Sequence, residues 1–263
     1  VRSFSRLAML MLLAMTFSGC QQFAAISETM FMMSTTQELE LGQEVIQQLN
    51  AEMQYVNDPV VVSYIQDLGR KLWAYSPQGP VEPRFHVIRN DELNSFAVPG
   101  GDIFVHTGLI DAAEDEAELA GVIAHELGHV IRRHGAQHVS HQMGLEFVQQ
   151  LVLGEDSGQV AQLVTQLLAA GVMTNYSRED EQEADDIAVR TLYAAGYDPM
   201  AMHSFFQKLV QQYGEQTGVV STLFASHPPT TARMEYVQQL VRQLPNKTYQ
   251  RPTQRLREIQ ERI

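Results

Sequence analysis

Two histidines four residues apart constrain the fold of this chain more than any other feature. His125 and His129 lie in an apolar segment, 117–133, whose pattern predicts a helix that is at least half buried. Residues four apart share one face of an α-helix, so both imidazole rings would point the same way. Because buried ionisable groups need partners, the pattern indicates a site that both rings share.

Glu126 completes the pattern H-E-x-x-H. It lies about 100° around the helix from His125, close enough to take a proton from a water molecule at a metal ion without being a ligand. A catalytic zinc ion has three protein ligands and one open position, and it makes a water molecule acidic enough to attack a peptide bond. The motif therefore predicts one Zn²⁺ per chain, with His125 and His129 as ligands and Glu126 as the general base.

The third zinc ligand must come from elsewhere in the chain. A third histidine six residues after His129 would be one solution, but His134 is one residue short of that position. The acidic run 179–185 offers carboxylates instead, and Glu181 and Asp185 within it share a helix face. Glu181 could bind the zinc while Asp185 orients His125 or His129. The alternative is that such a run only compensates the positive end of a helix dipole.

The rest of the pattern predicts an α+β fold that is mainly α. Three short segments, 85–88, 96–98 and 103–106, have the composition of strands, and the Pro-Gly-Gly-Asp sequence before the last one predicts a hairpin. Apolar residues at three- and four-residue steps predict helices over 37–57, 58–75, 117–133, 136–153, 158–173, 179–195, 199–212 and 230–244. We therefore expect a small antiparallel or mixed sheet beside a helical bundle that includes the H-E-x-x-H helix.

The first 20 residues have the order of an export signal. Two arginines precede the apolar run 7–17, and a serine and a glycine lead to Cys20, the single cysteine of the chain. This is similar to the lipobox of bacterial lipoproteins, in which the cysteine is acylated; the alternative is ordinary signal cleavage with an incidental cysteine. The predicted organisation is a signal peptide over 1–19, a lipidated tether over 20–36, a catalytic domain over 37–250 and a polar tail over 251–263.

The charge of the chain excludes some partners. The formal net charge is −13, so there is no basic surface that would bind nucleic acid. Anionic membrane surfaces would repel such a chain, and attachment to a membrane would depend on lipid at Cys20. Gln21 stands where an aspartate would favour the inner membrane, so the similarity to lipoproteins implies the outer membrane, with the protein facing the periplasm.

Four segments together resemble one family of gluzincin metallopeptidases. They are Asn94-Ser95-Phe96-Ala97-Val98-Pro99-Gly100-Gly101, His125 to His129, Glu181 to Asp185, and Ser226-His227-Pro228-Pro229 followed by Arg233. In this order they are similar to the family that includes the CAAX prenyl proteases, the HtpX-like membrane proteases and the BepA-like and LoiP-like periplasmic proteases. The resemblance extends from about residue 50 to residue 236 and implies a zincin-type metalloprotease domain.

The resemblance also implies roles for single residues. Glu181 would be the third zinc ligand, and Asp185 would orient one of the histidine ligands. His227 would lie near the zinc, where it would polarise the oxyanion or occupy the metal's open position at rest. Arg233 would pair with the acidic residues of the site.

Residues Phe96, Ala97 and Val98 are the candidate substrate-binding residues. Proteases of this type often hold substrate as a strand added to a sheet edge, and the predicted hairpin would provide that edge. Gly100 and Gly101 would permit close approach of another backbone. The alternative is an ordinary hairpin without substrate contact.

These expectations add up to a zinc endopeptidase of the bacterial cell envelope. By resemblance, its substrates would be misfolded or unassembled envelope proteins. A second hypothesis is a chaperone or assembly factor whose zinc is occluded by His227. A third is an inactive fold with a structural metal, which the presence of Glu126 argues against because a structural site needs no general base.

Overall fold

The computed structural model describes residues 32–51, 53–142, 164–166, 176–213, 227 and 231–263. Its elements are α1 (Thr35–Asn50), α2 (Pro59–Tyr75), β1 (Arg84–Ile88), β2 (Ser95–Ala97), β3 (Asp102–His106), α3 (Thr107–Ala112), α4 (Glu116–Arg132), α5 (Arg178–Ala195), α6 (Met200–Tyr213), α7 (Thr231–Gln243) and α8 (Gln254–Gln260). Residues 134–142 are also helical. The prediction of a mainly helical α+β fold with a small mixed sheet is confirmed.

The three strands form one sheet in the order β1-β3-β2. β1 runs parallel to β3, whereas β2 is antiparallel to it, as predicted for a hairpin. Gly100 and Gly101 make the turn with φ values of +90° and +91°, a backbone conformation that glycine adopts without strain. Within this sheet β2 is an edge strand, and it lies against α4.

The local sequence determines where the central helices begin and end. The Asp115 side chain caps the first turn of α4, and Ser177 and Asp180 form a capping box at the start of α5. Gly196 ends α5 in a left-handed conformation. Part of the acidic run thus serves the helix terminus, as the alternative interpretation held, while Glu181 and Asp185 are buried.

The main core lies between the sheet and helices α2, α4 and α5. Of all pairs of elements, α4 and α5 have the most extensive contact, which brings the H-E-x-x-H helix against the acidic helix. Residues 254–260 form α8, although a polar tail was predicted there, and Leu256 and Ile259 are buried in this core. This segment has only two apolar residues, which are too few for hydrophobic periodicity to predict a helix.

Several predictions concern residues outside the described ranges. The signal peptide, Cys20 and most of the tether lie there, as do most of the helices predicted over 136–153 and 158–173. Within the described ranges, no helix has both the length and the apolar character needed to cross a membrane.

Candidate metal centre and active site

The three predicted zinc ligands meet between α4 and α5. The Nε2 atoms of His125 and His129 are 3.1 Å apart. One carboxylate oxygen of Glu181 lies 3.4 Å from Nε2 of His125, and the other lies 3.4 Å from Nε2 of His129. All three side chains are buried, so the structure brings together two imidazoles and one carboxylate away from solvent.

Gly128 explains why the two helices approach so closely. A Cβ atom at this position would lie 2.7 Å from Cα of Ala184 on α5, closer than real Cβ atoms come to such a neighbour. A glycine inside a helix costs up to about 1 kcal/mol relative to alanine. Here it lets the backbone of α5 pass close enough for Glu181 to reach the two histidines.

The spacing of the ligand atoms fits zinc. Zinc bonds of about 2.0–2.1 Å at tetrahedral angles separate neighbouring ligand atoms by about 3.3 Å, close to the distances among His125, His129 and Glu181. His227 joins them, with Nδ1 lying 3.3 Å from Nε2 of His125 and 2.7 Å from Oε1 of Glu181. One ligand atom from each of the four residues lies within 4.8 Å of all the others. Three candidate zinc ligands and His227 therefore form one buried group that could hold a metal ion.

Arg233 and Asp185 contact two of the candidate ligands, Glu181 and His125 respectively. Arg233 donates hydrogen bonds from Nε and Nη2 to both oxygens of Asp185, at 2.9 and 2.7 Å, and its Nη1 contacts Glu181. Asp185 lies 2.9 Å from Nδ1 of His125, which directs Nε2 of that ring toward the site. Burial raises the pKa of Asp185, but the charge of Arg233 and the contact with His125 outweigh it and hold that pKa below its usual value.

The histidine ligands have opposite pKa shifts. Burial lowers the pKa of His125, but Glu181 and Asp185 outweigh it and raise the value to about 9. For His129, burial and the neighbouring charges of His125 and His227 hold the pKa well below its usual value, although Glu181 acts in the other direction. At neutral pH, metal binding therefore has to displace a proton from His125.

Glu126 has the surroundings of a general base. Its side chain is buried beside the metal ligands, and burial raises its pKa, although the charges of His227 and His125 and a hydrogen bond from the Ala97 backbone oppose the rise. Oε1 lies 3.6 Å from Nε2 of His227. Among the described residues, Oε2 has no hydrogen-bond partner. A raised pKa makes this carboxylate a better proton acceptor, and the Oε2 atom is available to a water molecule.

His134 lies beside the site as a neighbour of His129, a position that its spacing from the motif did not predict. Its Nδ1 lies 2.8 Å from Nδ1 of His129. Since Nε2 of His129 must keep a lone pair to bind metal, its Nδ1 carries the proton and donates to Nδ1 of His134. His134 then carries its proton on Nε2, which lies 3.3 Å from Glu183 and 3.5 Å from Asp180. The contact fixes the orientation of the His129 ring.

Replacing His134 with alanine should therefore weaken zinc binding about 10–100-fold, because His129 loses its hydrogen-bond acceptor. His134→Asn should retain most of the affinity, since an amide oxygen can accept the same bond. The affinity is measured by competition with a chromogenic chelator. His138→Ala is the matched control, because His138 contacts Asp180 at 2.8 Å rather than a ligand. An affinity of His134→Ala equal to that of the wild type would contradict the assigned contact.

Tyr176 is a second residue that sequence reasoning missed. Its ring stacks on the ring of His129, with centroids 3.9 Å apart and an angle of 18° between the planes. It also lies 5.2 Å from the ring of His227. Burial and the nearby charge of Glu126 raise its pKa well above the usual value, so the phenol remains neutral. It sits directly before the cap of α5, where no periodic pattern could assign it to the site.

Of the candidate substrate residues, Phe96 and Ala97 lie on β2, beside Glu126, and Val98 directly follows the strand. Asn94 accepts a hydrogen bond from the backbone of β3, and Val98 donates one to it. Since peptide groups alternate in direction along a strand, those of Phe96 also face β3. The main-chain groups of Ser95 and Ala97 face the opposite way, toward the edge of the sheet.

Comparison with known proteins gives one family match and several relatives. The profile of Peptidase family M48 matches residues 59–241. A beta-barrel assembly-enhancing protease of Escherichia coli (strain K12) is 32% identical over 77% of this chain and 43% of its own length. A mitochondrial metalloendopeptidase, OMA1, of Schizosaccharomyces pombe is 28% identical over 67% of this chain and 52% of its own. A metalloprotease of E. coli, YcaL, is 29% identical over 58% of this chain and 60% of its own.

The match to the first of these relatives is partial. The chain spans less than half of the length of the beta-barrel assembly-enhancing protease. The family profile includes the sheet, the H-E-x-x-H helix and the acidic helix, all of which lie within residues 59–241.

Proposed function

Since the chain belongs to peptidase family M48 and has the site of a zinc metalloendopeptidase, we propose that it cleaves peptide bonds within unfolded or misassembled proteins of the bacterial cell envelope. The observation that supports this most directly is the buried group of His125, His129 and Glu181, beside Oε2 of Glu126, which has no hydrogen-bond partner in the described part of the chain. One relative is named for the assembly of β-barrels, which supports a role in quality control of outer-membrane proteins.

The chemistry follows from the residues around the ligands. Zinc bound there supplies a Lewis acid that polarises the scissile carbonyl and acidifies a water molecule. Glu126 takes a proton from the attacking water, a step that its raised pKa favours, and passes that proton to the leaving amine. His227 lies beside His125 and Glu181, where a ring N–H would stabilise negative charge that develops on the carbonyl oxygen.

The edge of β2 supports a preference for unfolded substrate. A peptide that adds to this edge pairs with the outward main-chain groups of Ser95 and with the carbonyl group of Ala97, whose N–H already donates to Glu126. Phe96 and Val98 shape this edge, although their own main-chain groups are directed toward β3. A segment can pair in this way only when it is extended and free of other partners, which is the state of a misfolded or unassembled protein.

The N-terminal sequence supports attachment to a membrane by lipid. Export followed by acylation of Cys20 would hold the domain at the outer membrane, facing the periplasm, where such substrates occur. Mass spectrometry of the mature chain checks this part of the proposal, which requires acyl groups on Cys20.

The position of His227 favours a second candidate function. Its Nδ1 is as close to the ligand atoms of His125 and Glu181 as a fourth metal ligand would be. A metal with four protein ligands has no open position for water or substrate. In that state the protein would bind unfolded envelope proteins as a chaperone or assembly factor, with little peptidase activity.

Casein, an unfolded substrate, distinguishes the two functions. We expect the zinc-loaded wild type to cleave it, a chelator to abolish cleavage, and added zinc to restore it. Cleavage that survives removal of zinc would refute the proposed function. If the zinc-loaded wild type is inactive but His227→Ala cleaves casein, the chaperone function is favoured instead.

A further inference from the structure

A small apolar cavity lies beside the general base. Its wall consists of apolar side chains from four parts of the chain, together with Ser95, and of the site residues His125, Glu126 and His227. The apolar residues are Leu93, Leu109, Val122, Phe205 and Phe206. Nothing in the mechanism above uses this cavity, yet it opens onto the atoms where a peptide bond would be cleaved.

The cavity also adjoins the sheet edge. Val122 lies four residues before Glu126 on α4 and therefore on the same helix face. Ser95 belongs to β2, and its main-chain groups face outward along the edge. Its hydroxyl oxygen is buried and has no hydrogen-bond partner among the described residues.

The alternation of side chains along β2 connects the edge to the cavity. Ser95 and Ala97 point to the face of the sheet that packs on α4, whereas Phe96 points to the other face and stacks on Phe104 at 5.0 Å. In a peptide paired with β2, the residue opposite Ser95 directs its side chain to the α4 face. That side chain would enter the cavity.

On this basis, and resting on the proposed peptidase function, we propose that the cavity binds a short aliphatic side chain of a residue adjacent to the scissile bond. The cavity measures about 30 Å³, and a single water molecule needs about 10–15 Å³ on the same measure. Valine or leucine fits this size and the apolar wall. An acidic side chain would lose its hydration there and face the carboxylate of Glu126, and a tryptophan side chain is too large.

Peptides that differ only at the residues flanking the scissile bond test this proposal. At one of the two positions, kcat/KM with valine or leucine should exceed that with aspartate or tryptophan about tenfold or more. Val122→Phe should shift the preference to alanine, and Val122→Ala should shift it to phenylalanine. Val122 is only partly buried, so both variants should fold. Val60→Phe changes an exposed valine on α2 and is the matched control, with the wild-type preference expected.

A binding measurement separates this proposal from the proposed function. The same peptides, labelled for fluorescence anisotropy, are titrated onto zinc-loaded Glu126→Gln protein, and their dissociation constants should follow the same order. Selective binding without cleavage by the wild type would refute the peptidase function and leave the cavity assignment intact. Cleavage with equal kcat/KM for all peptides, or unchanged preferences in both Val122 variants, would overturn the cavity assignment alone.

Discussion

Replacing Glu126 with glutamine is expected to lower kcat/KM for peptide hydrolysis about 10²–10⁴-fold while zinc binding is retained. Glutamine has the same shape but cannot accept the proton of the attacking water. Glu126 is not among the residues grouped around the metal position, so the ligands should be unaffected. The measurement combines a peptide cleavage assay with determination of the zinc content of the same samples.

The control for this change is Glu40→Gln. Glu40 is an exposed glutamate on α1, and its replacement removes the same charge far from any catalytic atom. It should leave kcat/KM unchanged. A Glu126→Gln protein with normal zinc content and half or more of wild-type activity would exclude Glu126 as the general base.

Replacing Arg233 with methionine should lower the free energy of unfolding by about 3–5 kcal/mol. Arg233 is 8% exposed and contacts both Asp185 and Glu181. Without its charge, two buried carboxylates face each other with no counter-ion on that side. Urea denaturation of metal-free and zinc-loaded protein measures the effect, and the loss should be larger in the metal-free protein because zinc also neutralises Glu181.

Two further variants test the cause of this loss. Arg190→Met breaks a surface ion pair with Asp186 on the same helix, and it should cost no more than about 1 kcal/mol. Adding Asp185→Asn to Arg233→Met removes one of the two uncompensated charges and should recover part of the stability. If Arg233→Met costs no more than Arg190→Met, the buried ion pair has no structural role.

Spacing alone was enough to predict the centre of the site. His125, Glu126 and His129 are close in sequence, and the periodicity of an α-helix fixes their relative directions. The hairpin followed from its two glycines and the flanking strands. Glu181 could not be separated from its acidic neighbours by helix geometry, since a capping role and a ligand role need the same residue type. The resemblance to a family identified Glu181 as the third ligand. The close packing of α5 against Gly128 provides a physical reason, because it brings Glu181 within reach of the two histidines.

His134 shows what periodicity cannot reveal. A helix that continued past Arg132 would turn His134 away from His129. Instead, Arg133 adopts a left-handed conformation with φ of 59° and ends α4. Its side chain donates hydrogen bonds to Glu38, at 2.5 Å, and to the backbone of Met33, at 2.8 Å. Such a conformation costs free energy in a residue other than glycine, and these contacts across more than 90 positions offset the cost, so no local pattern could predict it.

The metal site is built from residues that are far apart along the chain. His125 and His227 are separated by 102 positions, and Glu181 and His227 by 46. A nascent or partly folded copy lacks this set of side chains in one place, because closing such long loops is unfavourable until the core has formed. On the proposed function, the peptidase activity of each molecule therefore arises only after its core has folded, so a copy that is still unfolded could not cleave other unfolded chains.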